Sequence, residues 1–344
     1  MRRSAVAVEH WTRRDRLAVA LGIAGIGILA AGPALFGAEL IDKMTILFLY
    51  VTLAMMWNAL AGYAGLVSVG QQAFFGLGAY ATIRLADAGI GVVPALLLAG
   101  LLVGVVAVPI SVFMLRLKGG EFAIGMWVLA ELFHLLVNLD GLVQGETGTS
   151  LIALNAYPAP TRHALIYWLA LGSMAVFGAV LLVFLRSAPG AATRAIRDDE
   201  EAAASVGVRV LGIKRLIFVL AATGTAVSGA LWLATAISFQ PKTYFSVQWT
   251  AYMIFMVLVG GLGTFEGPVL GAVIFFAIEA WFGGTGVWYL VGLGAAALLF
   301  ALVLPNGLWG ALERRFGVHL LSVGYRLRVP PRATLGEADV GPTG

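Results

Sequence analysis

The sequence predicts an all-α fold, a polytopic membrane helical bundle of about ten transmembrane helices. Three observations carry that expectation. Of the 344 residues, 60% are hydrophobic and only 12% are charged, against roughly 25% charged in an average soluble domain. Several apolar stretches run unbroken for the roughly 20 residues a helix needs to cross a bilayer, without the alternation of a β-barrel strand. The basic residues gather in four groups that all fall on one side of an even-numbered bundle. The 44 glycines suit close helix packing in lipid. The absence of cysteine excludes disulfides and thiolate metal sites. Basic residues confined to helix ends argue against a nucleic-acid partner.

The elements follow in order. Residues 1–16, with Arg2, Arg3, Arg13, Arg14 and Arg16, read as a cytoplasmic N-terminal segment. The apolar run 17–36 is long enough to be a first, uncleaved span, with a signal peptide as the alternative. Further spans are expected at 43–62, 66–86, 92–115, 120–138 and 165–185. Arg116 and Lys118 follow the fourth span. A charged loop, 186–214, leads to spans 215–239, 248–263, 266–282 and 287–304. The eighth and ninth are short and flank the glycine-rich stretch Gly260 to Gly267, so half-helices that enter and turn back are an alternative. Arg314, Arg315, Arg326, Arg328 and Arg332 close the pattern. Residues 17–310 are thus one transmembrane domain and 311–344 a cytoplasmic, partly disordered tail, with both termini cytoplasmic.

The loop concentrates nine charged residues between Thr193 and Arg215. Pro189-Gly190 closes the helix before it. Asp198 and Asp199 suit an N-cap, Glu200 and Glu201 a first turn, and Ala202 to Ala204 a helix interior. Gly207 can end the helix in a left-handed cap. These residues predict a short separate helix from about Asp199 to Val206 whose alanine side another protein can approach closely. A solvated connector is the plainer alternative.

No phosphate-binding loop is present: Gly207 to Lys214 is the nearest stretch, and its spacing is wrong. Work therefore comes from a separate ATPase or from an ion gradient. Glu131 and His134 share one face of the fifth span, as a proton relay or as a packing pair. Glu279 lies near the outer end of its helix and can reach water. The break Gly62-Tyr63-Ala64-Gly65 suits a cavity lining. Asn58, Ser68, Gln71 and Gln72 around it border a polar path for a zwitterionic solute, or else bond between helices. No nucleophile stands at a recognisable spacing from a base, and no ligand cluster marks a metal, so the chain does not read as an enzyme.

Glu201-Ala202-Ala203, three residues, then Gly207 resembles the EAA motif of permease subunits of bacterial ABC importers. AGYAGLVSVGQQAFFGLGAYA (Ala61 to Ala81), LRLKGGEFAIGMWVLAELF (Leu115 to Phe133) and GGLGTFEGPVLGA (Gly260 to Ala272) are similar to stretches of the branched-chain amino-acid permeases. Gly145-Glu146-Thr147-Gly148-Thr149 sits where that family has a Thr- and Gly-rich external loop. The resemblance covers residues 40–310, in order. Gly120-Glu121, the doubled Gln71-Gln72 and the single glycine before Thr149 depart from the family pattern. The resemblance implies a type II ABC importer-like permease in a bacterial-type inner (plasma) membrane. It implies a coupling helix in which Glu200, Glu201, Ala202, Ala203 and Gly207 contact the ATPase. ATP and Mg would sit on those partner ATPase subunits, with no cofactor on this chain. A second permease subunit, forming a heterodimer, and an extracytoplasmic solute-binding protein would complete the system. The implied solute is a branched-chain amino acid or a related small polar molecule, and urea and amide permeases share the motifs. An ion-coupled carrier using Glu131 and His134 is the rival from outside the family.

Overall fold

The computed structural model describes residues 7–9, 13–304, 306–316 and 326–328. Helix α1 (Arg13–Ala30) begins four residues before the expected first span and stops six before its end. The stop has a local cause. Pro33, in the short α2 (Gly32–Leu35), offers no N–H to the carbonyl of Leu29. Tyr167 Oη donates to that carbonyl instead (2.6 Å), and Trp168 Nε1 donates to the carbonyl of Ala30 (3.0 Å). At the other end of α1, buried Asp15 pairs with Arg186 at 3.2 Å.

Helix α3 (Ala38–Asn58) is buried along most of its length and ends in a π-helical turn, Ala59–Tyr63. The expected span 66–86 is corrected here. The chain is irregular from 65 to 71, and α4 runs Gln72–Asp87. Gly70 lies so close to the carbonyl of Met126 that a Cβ there would collide with it. The irregular backbone finds its hydrogen bonds elsewhere: Leu66 N donates to Leu60 O (3.0 Å), and Ser68 O accepts from Trp57 Nε1 (2.9 Å).

Helices α5 (Val92–Met114) and α6 (Gly120–Asn138) match the expected spans. Helix α7 (Ala159–Leu185) starts six residues early because Pro160 fits the first turn, where an N–H would have no partner. The 186–214 loop holds two helices rather than one, α8 (Ala188–Asp198) and α9 (Glu200–Ser205). Pro189, expected to mark a stop, stands in the first turn of α8. Then come α10 (Val210–Ala236), α11 (Pro241–Tyr244), α12 (Val247–Gly260), α13 (Gly267–Phe282), α14 (Val287–Val303) and α15 (Gly307–Phe316).

Four short strands, β1 (Ala7–Glu9), β2 (Thr149–Ser150), β3 (Ser238–Phe239) and β4 (Arg326–Arg328), form two antiparallel pairs. β1 pairs with β4, which brings together segments from the two ends of the chain, and β2 pairs with β3. The tail 329–344, expected to be disordered, lies outside the described residues.

Among the described residues, eight helical segments are long and apolar enough to cross a membrane. Charged Arg13, Arg14, Asp15 and Arg16 open α1, and α4 has 16 residues. These two helices take the other positions of the ten-span pattern. α12 starts beside the segment 139–158, where Lys242 N donates to Glu146 Oε2 (3.0 Å), and the 261–266 turn beyond it reaches Arg197 next to α9. The segments Pro241–Gly260 and Gly267–Thr285 are each long and apolar enough to cross, against the half-helix alternative.

Helix α10 is the central post. It packs along α5 and α4, and also against α3 and α7. A Cβ on Gly78 of α4 would collide with the carbonyl of Ala226 on α10, and one on Gly229 of α10 with the carbonyl of Phe75 on α4. Reciprocal glycines let the two backbones touch, as small residues do where lipid supplies no hydrophobic drive between helices. The outward faces of α5, α6 and α14 carry exposed Leu101, Val105, Trp127, Val128, Leu298 and Leu302, the surface expected against hydrocarbon chains.

Candidate functional site

Helix α9 is fixed at both ends by its own residues. Asp199 Oδ1 accepts from Glu201 N (3.0 Å) and Ala202 N (2.9 Å), the N-cap expected from the sequence. At the other end Gly207 has φ +88°, Gly207 N donates to Ala204 O (3.0 Å) and Val208 N donates to Ala203 O (3.1 Å). That pair of bonds is a Schellman cap, which needs a residue at ease in the left-handed region. The five residues expected to contact an ATPase divide between two faces. Glu201, Ala202 and Gly207 are exposed, and Val206 beside them is 79% exposed. Ala203 is buried, and Glu200 turns back to accept from Lys214 Nζ of α10 at 2.6 Å. Those two residues fasten α9 to its own bundle.

Arg197, at the end of α8, connects this element to the membrane helices. Its Nη1 donates to Gly62 O in the π-helical turn (2.7 Å), while Nε and Nη2 hold Asp198 (3.0 and 2.9 Å). One turn back, Asn58 clamps the 261–266 turn with both halves of its amide. Gly263 N donates to its Oδ1 (2.9 Å) and its Nδ2 donates to Thr264 O (2.8 Å). The helix break thus sits between the α8–α9 unit and the turn that starts α13. Sequence reasoning placed Arg197 only in a basic group. Its partner is a backbone carbonyl 135 residues away, for which the sequence carries no signal.

The other polar residues expected near the break are all buried. Gln71 Nε2 donates to Thr225 Oγ1 of α10 (3.2 Å), and Gln72 Oε1 accepts from Thr250 Oγ1 of α12. Ser68 Oγ accepts from Gly70 N (3.3 Å). In this conformation Gln71 and Gln72 bond to neighbouring helices, the second reading of these residues, while Asn58 bonds to the 261–266 turn and Ser68 within its own segment. Gln71 Oε1 is buried without a partner, and Gln72 also lines an open pocket of about 280 Å³ with Glu131, His134, Lys242 and Phe245.

Glu131 and His134 do meet, at 3.1 Å, with the Glu131 side chain 59% exposed. The ring's other nitrogen contacts Glu146 Oε1 at 2.7 Å, and Asn138 Nδ2 donates to the same oxygen at 2.6 Å. Partial burial works to raise the Glu146 carboxyl, but the bonds from Asn138, His134 and the Lys242 N–H together hold it below the ordinary carboxylate range. This cluster lies at the end of the bundle opposite α9.

The fold is thus a bundle of helices long and apolar enough to cross a membrane, with a short, self-capped helix fastened to one end. The comparisons with known proteins give its kind. A family model for the permease component of branched-chain amino acid transport systems matches residues 40–310, and the chain belongs to that family. It is 24% identical to the high-affinity branched-chain amino acid transport system permease protein LivM of Escherichia coli, over 88% of this chain and 76% of that protein. It is 32% identical to the L-arabinose transport system permease protein AraH of the same species, over 41% of this chain and 43% of that one. Among solved structures it is similar to an inward-facing ABC transporter of metal-chelate type, with a TM-score of 0.44 and 16% identity over 88% of this chain and 99% of the other.

Proposed function

We propose that the chain is a membrane-spanning subunit of an ATP-driven importer for branched-chain amino acids or a related small polar solute. ATP and Mg bind partner ATPase subunits. A second permease subunit completes a heterodimer, and an extracytoplasmic solute-binding protein delivers the solute. The membrane is a bacterial-type inner membrane. The end carrying α9 faces the cytoplasm, together with the N-terminal segment 1–16 and the tail 311–344.

The observation that carries this reading is the continuous path from α9 to the helix break. The exposed side of α9, Glu201, Ala202 and Gly207, is the ATPase contact. Asp199 and Gly207 hold that surface in shape without help from a partner. Displacement of the α8–α9 unit pulls on Gly62 through Arg197, and Asn58 carries it into the 261–266 turn. Nucleotide acts by binding one arrangement of the ATPases better than another, and the permease follows through these bonds.

Vanadate-sensitive, ATP-dependent uptake of leucine by the assembled proteins in proteoliposomes tests the proposal, with urea and L-arabinose as competing solutes. Uptake driven by a proton gradient with no ATPase present would overturn it. The rival ion-coupled reading rests on the Glu131–His134–Glu146 contacts. These stay at one end of the bundle and lead onward only to Asn138 and the Lys242 N–H, so they favour local bracing of the 139–158 segment.

A further inference from the structure

Between α3, α10, α12 and α13 lies an open pocket of about 380 Å³ that belongs to neither the coupling path nor the buried polar cluster. Its size falls within the roughly 300–1,000 Å³ of small-molecule sites. Tyr50, Trp232, Trp249 and Tyr252 form the wall. The Trp232 and Trp249 rings lie 4.7 Å apart edge to face, and the Trp249 and Tyr252 rings 6.1 Å apart in the same manner. Glu279 stands in this wall, half-buried, with one oxygen accepting from Tyr50 Oη at 2.9 Å. Gln248, which could reach into the same space, donates to Tyr252 Oη instead. Exposed Lys242 and Thr243 of α11 line the pocket too.

Among the described residues, no cation lies within ion-pairing distance of Glu279, and Lys242 forms no ion pair with it. A carboxylate has about four acceptor positions, and a single phenol fills one. Three residues from the end of α13 and beside exposed Lys242, Glu279 turns its remaining acceptor positions to a pocket that a solute can enter. The surrounding aromatic faces attract cations, above all an ammonium removed from water. An anion, by contrast, would meet both the carboxylate and the negative ring faces. Lys242 supplies the opposite charge in the same pocket without neutralising Glu279.

We infer that this pocket is a transit site that binds the ammonium group of an α-amino acid on Glu279. The rings of Trp232, Trp249 and Tyr252 hold its apolar side chain, and Lys242 takes its carboxylate. The assignment deepens the import reading given above and rests on it. A neutral sugar would stack on the same rings but would leave Glu279 unpaired.

The test is equilibrium binding of labelled leucine to the assembled transporter in nanodiscs, without the solute-binding protein, at millimolar concentration. Isopentylamine, which keeps the ammonium, should displace leucine. N-acetylleucine and L-arabinose, which lack it, should not. Glu279→Gln should weaken binding by roughly tenfold or more, the share of a hydrogen bond to a charged group, and Glu279→Asp should retain part of it. Co-purification of the partners and the melting temperature report whether either variant assembles, and the competition series on the unaltered protein decides the matter if they do not. Absence of binding, equal displacement by N-acetylleucine, or full affinity in an assembled Glu279→Gln transporter would each overturn the site. If ATP-driven leucine uptake persists in those cases, the import reading stands alone. Amine binding with no ATP-driven uptake of any amino acid would sink the import reading and leave the ammonium site.

Discussion

Helix α9 and the break between α3 and α4 lie at the two ends of one short chain of hydrogen bonds, yet they are built in opposite ways. α9 is largely exposed, and each of its cap bonds joins residues no more than five positions apart. The break is buried, and beyond the local bonds of Leu66 and Ser68 its ties run to Arg197, Gly263 and Thr264, between 135 and 206 residues away. A surface offered to a partner needs a shape that survives without the partner, so its geometry is local. A flexing point inside a bundle has to be tied to whatever moves it, so its geometry is long-range.

That contrast can be broken in graded steps. The largest effect is expected from Gly207→Trp, which puts a bulky side chain on the contact face at a φ that costs L-residues about 1–2 kcal/mol. Uptake should fall by roughly a hundredfold or more, a loss of about 3 kcal/mol of coupling, while the chain still inserts and folds. Undiminished uptake and ATPase co-purification would show that α9 is not the contact.

Next is Arg197→Ala, which leaves α9 intact and cuts its tie to Gly62. ATP hydrolysis should continue while uptake falls roughly tenfold, the worth of one charged hydrogen bond. Parallel loss of both activities would place Arg197 in assembly, not transmission.

Asn58→Ala should act mainly on stability. It strips two partners from the half-buried 261–266 turn, at a cost of about 1–3 kcal/mol, read as a lower melting temperature in nanodiscs. An unchanged melt would mean that the turn holds itself.

The smallest effect concerns the opposite end. Because the Glu146 carboxyl is held below its ordinary value, its bonds to Asn138 and the Lys242 N–H stabilise the loop above the unfolded carboxylate pKa of about 4.3, and that support is lost as pH falls through the folded value. The protection factors of the 242–244 amides should fall on acidification below that range, and Glu146→Gln should flatten the dependence.

The same contrast explains what could be read from the sequence. The spans were legible because hydrocarbon imposes length and apolarity on each helix separately. α9 was legible because Asp199 and Gly207 act on their own neighbours. α8 was missed because Pro189-Gly190 is a stop signal for α7 and a start signal for the next helix alike. The beginning of α4 was placed six residues early, since Leu66, Val67 and Ser68 look helical until Gly70 meets the Met126 carbonyl. For Asn58 and Gln71 the residue types and the break were visible. Whether they face a path or a neighbouring helix depends on α10 and on the 261–266 turn, which only the folded chain brings near.

The paired glycines of α4 and α10 have a mechanical corollary. Backbones that touch through Gly78 and Gly229, each against a carbonyl of the other helix, meet at two points, and a larger side chain at either would force them apart. The close contact favours movement of the two helices together. Any opening and closing of the bundle that keeps this contact leaves the irregular chain at 65–71, just before α4, as the place where the backbone can give.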